Sequence, residues 1–190
     1  MAKIATVMVD GVADWEIGLV LPAAREWFGD EVVSASIDGQ PLDSIGGLRI
    51  VPRFALSDLD PLEADLWILP GSERWQAGEI PGLSALLRQR LQHGRPVAAI
   101  CGATLALGHA GLLERHAHTS NSPGFLQRHL PGYAGQALYR TQPVVSDGGL
   151  VTAPGTSPVG FACACLRLLH PEREDAIGQV HAQFVAEFAD

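Results

Sequence analysis

Val97-Ala98-Ala99-Ile100-Cys101-Gly102-Ala103-Thr104 begins as an uncharged, apolar run and breaks off at Cys101-Gly102, with helix-compatible residues beyond. The pattern reads as a buried strand, a sharp turn and a helix, with a cysteine at the turn. A strand-to-helix turn this tight needs small neighbours, here Gly102 and Ala103, and it lifts its first residue above the sheet edge as a nucleophile elbow does. The start of a helix at that point favours thiolate over thiol. The competing reading is a small buried hydrophobe that falls at a turn.

Outward from this stretch, the same grammar repeats. Residues 4–9 and 32–37 are β-prone runs closed by Asp10-Gly11 and Asp38-Gly39, and residues 66–69 form an apolar strand ending in Pro70-Gly71. Between the first two, Asp14 can cap a helix with Trp15, Leu19, Ala23 and Trp27 on one face, kinked at Pro22. Residues 41–51, with Gly46-Gly47, read as a hairpin excursion on the sheet's edge. Leu83, Leu86, Leu87 and Leu91 recur at helix spacing and Gly94 stops them. Further helices are expected over 103–110, from Ser122-Pro123, and from Ser157-Pro158 through Leu169. Late strands flank Asp147-Gly148-Gly149, and Ile177, Val180, Phe184 and Phe188 mark a last amphipathic helix. Strands alternating with helices imply an α/β fold, a doubly wound and mostly parallel sheet with helices on both faces. Ligands of such sheets bind beyond the carboxyl ends of the strands, which selects the loops at 10–16, 70–75, 101–104 and 153–157.

Composition agrees with one domain. The chain has 190 residues, 47% hydrophobic and 18% charged, with mean hydropathy +0.14, enough apolar material for a single core. Thirteen Lys and Arg against 21 Asp and Glu give a net charge of −8, the wrong sign for tracking a phosphate backbone, so no nucleic acid is expected as partner. Three cysteines make no disulfide framework, and Asp10 interrupts the N-terminal run too early for a secretion signal, so a cytoplasmic protein with reduced thiols is expected. Two uncharged stretches, 96–113 and 148–166, raise the question of a membrane span, but glycines and the Pro154-to-Pro158 turn break both.

Several residues are candidates for chemistry around Cys101. Leu69-Pro70-Gly71-Ser72 can aim a backbone N–H at the point that the Gly102 N–H also faces, forming an oxyanion hole; taken alone, the string is an ordinary turn. Glu16 sits in the first turn of the first helix, where the helix dipole alone explains a carboxylate. With the first strand central in the sheet, Glu16 reaches the zone above Cys101, where burial would raise its pKa. His109, His116, His118 and His129 show no paired zinc-site spacing, and no metal or other cofactor is expected. His116 and His118 read as exposed residues near a polar turn, and Cys163 and Cys165 as helix packing.

Together, Asp14-Trp15-Glu16, Leu69-Pro70-Gly71-Ser72, the elbow at 98–103, His118-Thr119-Ser120-Asn121, and the run at 151–158 resemble the PfpI family. This is the class I glutamine amidotransferase-like group that includes the parkinsonism-associated deglycase. The resemblance spans residues 3 to about 169. It implies a flavodoxin-like fold, a homodimer, Cys101 as the reactive group with Glu16 as its protonated partner, and oxyanion donors at Ser72 and Gly102. The activities it implies are glyoxalase or deglycase action on small carbonyls. The alternatives are an oxidative-stress sensor or chaperone-like protein whose cysteine meets peroxide without turnover, and, third, a cysteine peptidase. Peptidase-like members carry a histidine after the cysteine, where this chain has Gly102, and deglycase-like members carry one where Asn121 falls. His118 is the nearby candidate for that missing base, and Trp75 is expected to wall a pocket for a small or flat substrate.

Overall fold

The computed structural model describes residues 1–186, so the expectation for Phe188 falls outside the described residues. Strands β1 (Lys3–Met8), β2 (Glu31–Ser36), β5 (Phe54–Ala55), β6 (Leu66–Leu69), β7 (Val97–Ile100), β8 (Val145–Asp147) and β9 (Leu150–Ala153) form one sheet, ordered β5-β2-β1-β6-β7-β9-β8. Every pairing is parallel except β8 with β9. The runs Leu-Trp-Ile-Leu, Val-Ala-Ala-Ile and Leu-Val-Thr-Ala are buried throughout because helices cover both faces.

Alternate residues feed two cores. Val7, Trp67, Leu69, Val97 and Ala99 face one layer, which also holds residues of α3 (Leu83–Gln92), α4 (Thr104–His109) and α5 (Pro123–His129). Ile4, Leu66, Ile68, Ala98 and Ile100 face the other, built with α6 (Pro158–Leu169) and α7 (Glu174–Val185). The central strands run in the flavodoxin order, and the connection reverses direction between β1 and β6, which places the crevice for a ligand there.

Two local expectations fail for physical reasons. The first helix is broken: α1 (Asp14–Ile17) and α2 (Val20–Ala23) are followed by a π turn, Ala24–Phe28. Asp14 does not cap it; its carboxylate accepts from the Gly46 N–H at 2.6 Å instead. The wider π turn shifts the register, so Phe28 is buried while Trp27 stays about half exposed; Trp15, on α1 before the break, is about half exposed as well. The expected hairpin is real, β3 (Leu42–Asp43) against β4 (Arg49–Ile50), but it forms its own two-stranded sheet. It is tied to the loop after β1 by a Val12–Ser44 bridge, and β5 takes the edge of the main sheet.

Arg90 lies in the α3 face read as leucine alone. It is fully buried, its guanidinium donating to the carbonyls of Pro61, Ala64 and Pro96 and stacking 4.8 Å from the Trp67 ring, and burial pulls its pKa down to about 9. At the amino end of the sheet, His170 Nε2 meets Asp30 Oδ2 at 2.7 Å, both buried, while Asp30 Oδ1 accepts from the Ala2 N–H at 2.8 Å.

Candidate active site around Cys101

Three strand ends meet at the crevice. Cys101 follows β7 with φ 59°, the only positive value at a non-glycine among the described residues, so the elbow is held in the left-handed region that costs an L-residue free energy. The Thr104 hydroxyl donates to the Cys101 carbonyl at 2.7 Å and lies 2.7 Å from the Ser120 hydroxyl, which fixes the turn from below. A side chain at Gly102 would place Cβ 2.6 Å from the Ser72 carbonyl oxygen, so the approach of the Leu69–Ser72 turn requires glycine there. The histidine that peptidase-like sequences carry has no room at this position.

Glu16, on α1 just after the loop that leaves β1, is fully buried. Its Oε2 accepts from the Gly71 N–H at 2.5 Å, and Oε1 has no hydrogen-bond partner of ordinary geometry. The neighbour of Oε1 is the sulfur: the position of a Cβ on Gly155 would lie 2.9 Å from both Glu16 Oε1 and Cys101 Sγ. A Cβ on Gly71 would stand 2.6 Å from Oε2 and 2.7 Å from Cys101 Cβ. Two glycines therefore press against the pair, and a side chain at either would collide with both partners. Burial raises the Glu16 carboxyl to about 7, against the pull of the Gly71 N–H and the thiol. With Oε2 already accepting from Gly71, the proton of the neutral acid belongs on Oε1, facing the sulfur.

Burial also pushes the Cys101 thiol up. The Asn121 amide pulls it down, a charged Glu16 adds to the rise, and the Gly102 N–H lowers it. This is opposite to the expectation from the helix start; α4 is short, and desolvation outweighs it. Sulfur and carboxyl therefore act on one another: burial holds both protons on, and ionisation of Glu16 holds the thiol's proton more firmly still.

Asn121 reaches the sulfur, its Nδ2 donating to Cys101 Sγ at 3.3 Å while its Oδ1 accepts from the Gly155 N–H at 3.0 Å. Both ends of the amide are thus committed. Thr119, whose N–H donates to Thr152 Oγ1 at 2.9 Å, and the Tyr139 hydroxyl, which donates to the Ser120 carbonyl, anchor the segment that delivers Asn121.

His118 does not join the group. It is fully buried rather than exposed, with Nδ1 at 2.8 Å from the His116 carbonyl, Nε2 at 2.5 Å from the Tyr133 hydroxyl, and both tyrosine rings edge-on to it. Burial lowers its pKa, as fits a neutral ring packed among aromatics. Trp75 does not wall a pocket either: it is buried in the core, and its Nε1 donates to the Pro70 carbonyl at 2.8 Å, holding the turn that carries Gly71. The indole beside the site is Trp15, which helical spacing groups on one face with Leu19, Ala23 and Trp27; its Nε1 donates to the Gly155 carbonyl at 3.1 Å. The signal available was its place in Asp14-Trp15-Glu16, next to Glu16.

Ser72 spends its hydroxyl on the Asp10 carbonyl, 2.6 Å, and on capping Arg74 N–H, 3.0 Å, so only its backbone amide remains to serve an oxyanion. A cleft of about 580 Å³ adjoins on that side, lined by Asp10, Gly11, Ile45, Ser72 and Arg74 among others. Among the described residues no group of three His, Cys, Asp or Glu is placed to hold a metal ion, and no helix is long and apolar enough to cross a membrane.

Comparison with known proteins gives the same arrangement a context. The sequence profile of the DJ-1/PfpI family matches residues 2–168. The "Uncharacterized protease YoaZ" of Bacillus subtilis is 33% identical over 174 residues, 88% of this chain and 83% of that protein. "Deglycase TK1284" of Thermococcus kodakarensis is 31% identical, over 62% of this chain and 71% of its own. The "Glutathione-independent glyoxalase DJR-1.2" of Caenorhabditis elegans is 34% identical, over 46% and 48%. Among solved structures, the DJ-1 superfamily protein Atu0886 of Agrobacterium tumefaciens superposes with a TM-score of 0.91 at 40% identity, covering 99% of this chain and 100% of that one.

Proposed function

Because the chain belongs to the DJ-1/PfpI family, we propose that it is a cysteine-dependent enzyme acting on small reactive carbonyls, in the manner its deglycase- and glyoxalase-named relatives suggest. The observation that carries this reading is the shared niche of Cys101 Sγ and Glu16 Oε1 between Gly71 and Gly155.

A carboxyl that titrates at about 7 can accept and return a proton near neutral pH. As the Cys101 sulfur adds to an aldehyde carbon, its proton passes to the ionised Glu16, and the carbonyl π pair becomes an alkoxide. The amides of Gly102 and Ser72 hold that oxygen, and Glu16 returns the proton to give a neutral hemithioacetal. Asn121 orients the sulfur through its Nδ2 and does not act as a base. His118 and Trp75 support the loops that carry Asn121 and Gly71.

The test is methylglyoxal consumption by the wild type and by Cys101→Ser. Turnover by the wild type that vanishes in the variant is the expected result, and a wild type inert toward dicarbonyls overturns the reading.

A second reading, an oxidative-stress protein whose Cys101 reacts with peroxide without turnover, is favoured by one observation: both ends of Asn121 are committed and His118 turns to Tyr133, leaving the sulfur without a histidine base. Intact-mass measurement after graded peroxide tests it, and modification of Cys163 ahead of Cys101 defeats it. Action in the cytoplasm as a homodimer belongs to both readings; light scattering that gives a monomer at micromolar concentration removes the dimer.

A further inference from the structure

Gly155 does more than leave room. Its missing side chain faces Cys101 Sγ and Glu16 Oε1 together, so its backbone lies across the pair as a roof. Two side chains hold that roof. Asn121 Oδ1 accepts from the Gly155 N–H on the side of the sulfur, and the Trp15 indole N–H donates to the Gly155 carbonyl from the protein surface. The two fastenings differ in kind. Asn121 is anchored within the segment that Thr152 and Tyr139 secure, whereas Trp15 is half exposed on a four-residue helix. A single solvent-accessible hydrogen bond is the weaker tie.

We infer that Trp15 is a positioning residue that latches Gly155 over Cys101 and thereby limits the size of the electrophile that reaches the sulfur. A small aldehyde enters with the latch closed; a bulky or peptide-like electrophile needs it open. The inference rests on Cys101 being the reactive group in the proposed function, and it supplies a physical reason for small carbonyls over peptides.

The experiment compares Cys101 alkylation by iodoacetamide and by a fluorescein-sized iodoacetamide in the wild type and in Trp15→Phe, which keeps the ring and deletes the N–H. Site-resolved mass spectrometry follows each reaction across pH. Loss of one exposed hydrogen bond is expected to raise the bulky-to-small rate ratio by roughly threefold to tenfold. The pH profile of the small reagent should also move to lower pH as water reaches the Cys101 sulfur and relieves the burial that holds its thiol up, a change that a purely structural loss would not produce. An unchanged ratio overturns the latch. A wild-type Cys101 that reacts with neither reagent overturns the reactive-cysteine reading instead, so the two failures are distinguishable. Should the variant not fold, the wild type still decides: a bulky adduct on Cys101 should expose the Trp15 indole N–H to hydrogen exchange, whereas a carbamidomethyl adduct should not, and equal protection in both refutes the latch.

Discussion

Replacing Glu16 with glutamine removes a buried acid while keeping an oxygen that can accept from the Gly71 N–H. In the folded chain burial raises the Glu16 carboxyl from 4.5 to about 7. The sign follows from linkage. Below pH 4.5 both folded and unfolded chains carry the proton; as pH rises, the unfolded chain releases it first, so the folded state loses stability until its own carboxyl ionises near 7. Above that the loss is complete and constant. At 1.36 kcal/mol per pH unit the fall is about 3 kcal/mol, or roughly 6–12 °C in Tm for a domain of this size. Glu16→Gln abolishes it. The assay is urea unfolding at a series of pH values, with Cys101→Ser in both proteins so that the thiol does not titrate. The free-energy difference between the two should grow in favour of glutamine from pH 4.5 upward and level off above 7. Curves that stay parallel across this range would mean that the carboxyl is not held neutral by burial, and the proton-shuttle role would fall with it.

Asn121→Asp puts a charge where the sulfur now has a donor, so the thiol should rise further and iodoacetamide alkylation near neutral pH should slow by roughly tenfold; an equal rate would show that the amide does not act on the sulfur. Gly102→Ala drives a Cβ toward the Ser72 carbonyl, a backbone atom that yields little, and should cost roughly 1–3 kcal/mol in chemical denaturation; unchanged stability would refute the close approach. His170→Ala leaves Asp30 Oδ2 buried without its hydrogen-bond partner and should cost roughly 1–3 kcal/mol while Cys101 alkylation stays at the wild-type rate, because the two lie at the amino end of the sheet; an altered rate would contradict that separation.

Fold and site were legible in the sequence to different depths. The buried strands announced themselves because helices on both faces demand continuous apolar runs, and the loops at their carboxyl ends therefore pointed to Glu16, Ser72, Cys101 and the Gly155 turn. The two tryptophans were exchanged for a local reason. Helical spacing puts Trp15 on one face with Leu19, Ala23 and Trp27 but cannot foresee that the helix breaks after Ile17 and leaves the Trp15 indole on the Gly155 carbonyl, and a turn residue's place beside Gly71 does not tell that Trp75 anchors the turn from within instead of walling a pocket. The direction of the Cys101 shift was illegible because it depends on how deeply neighbouring loops bury the thiol. His118 looked like a free base because nothing local to it foretells two tyrosines closing around the ring.

Gly71 belongs to β6's loop, yet it stands between a carboxylate delivered from β1 and a sulfur delivered from β7. The three partners are spread from residue 16 to residue 101, and β1 must pair with β6 and β6 with β7 before they meet. Such parallel pairings between distant segments form slowly. A newly made chain would thus lack the native surroundings of Cys101 until those central pairings form. In a refolding time course, the moment at which Cys101 acquires its native alkylation rate should report the closure of the sheet's centre, a clock for folding written in the chemistry of one sulfur atom.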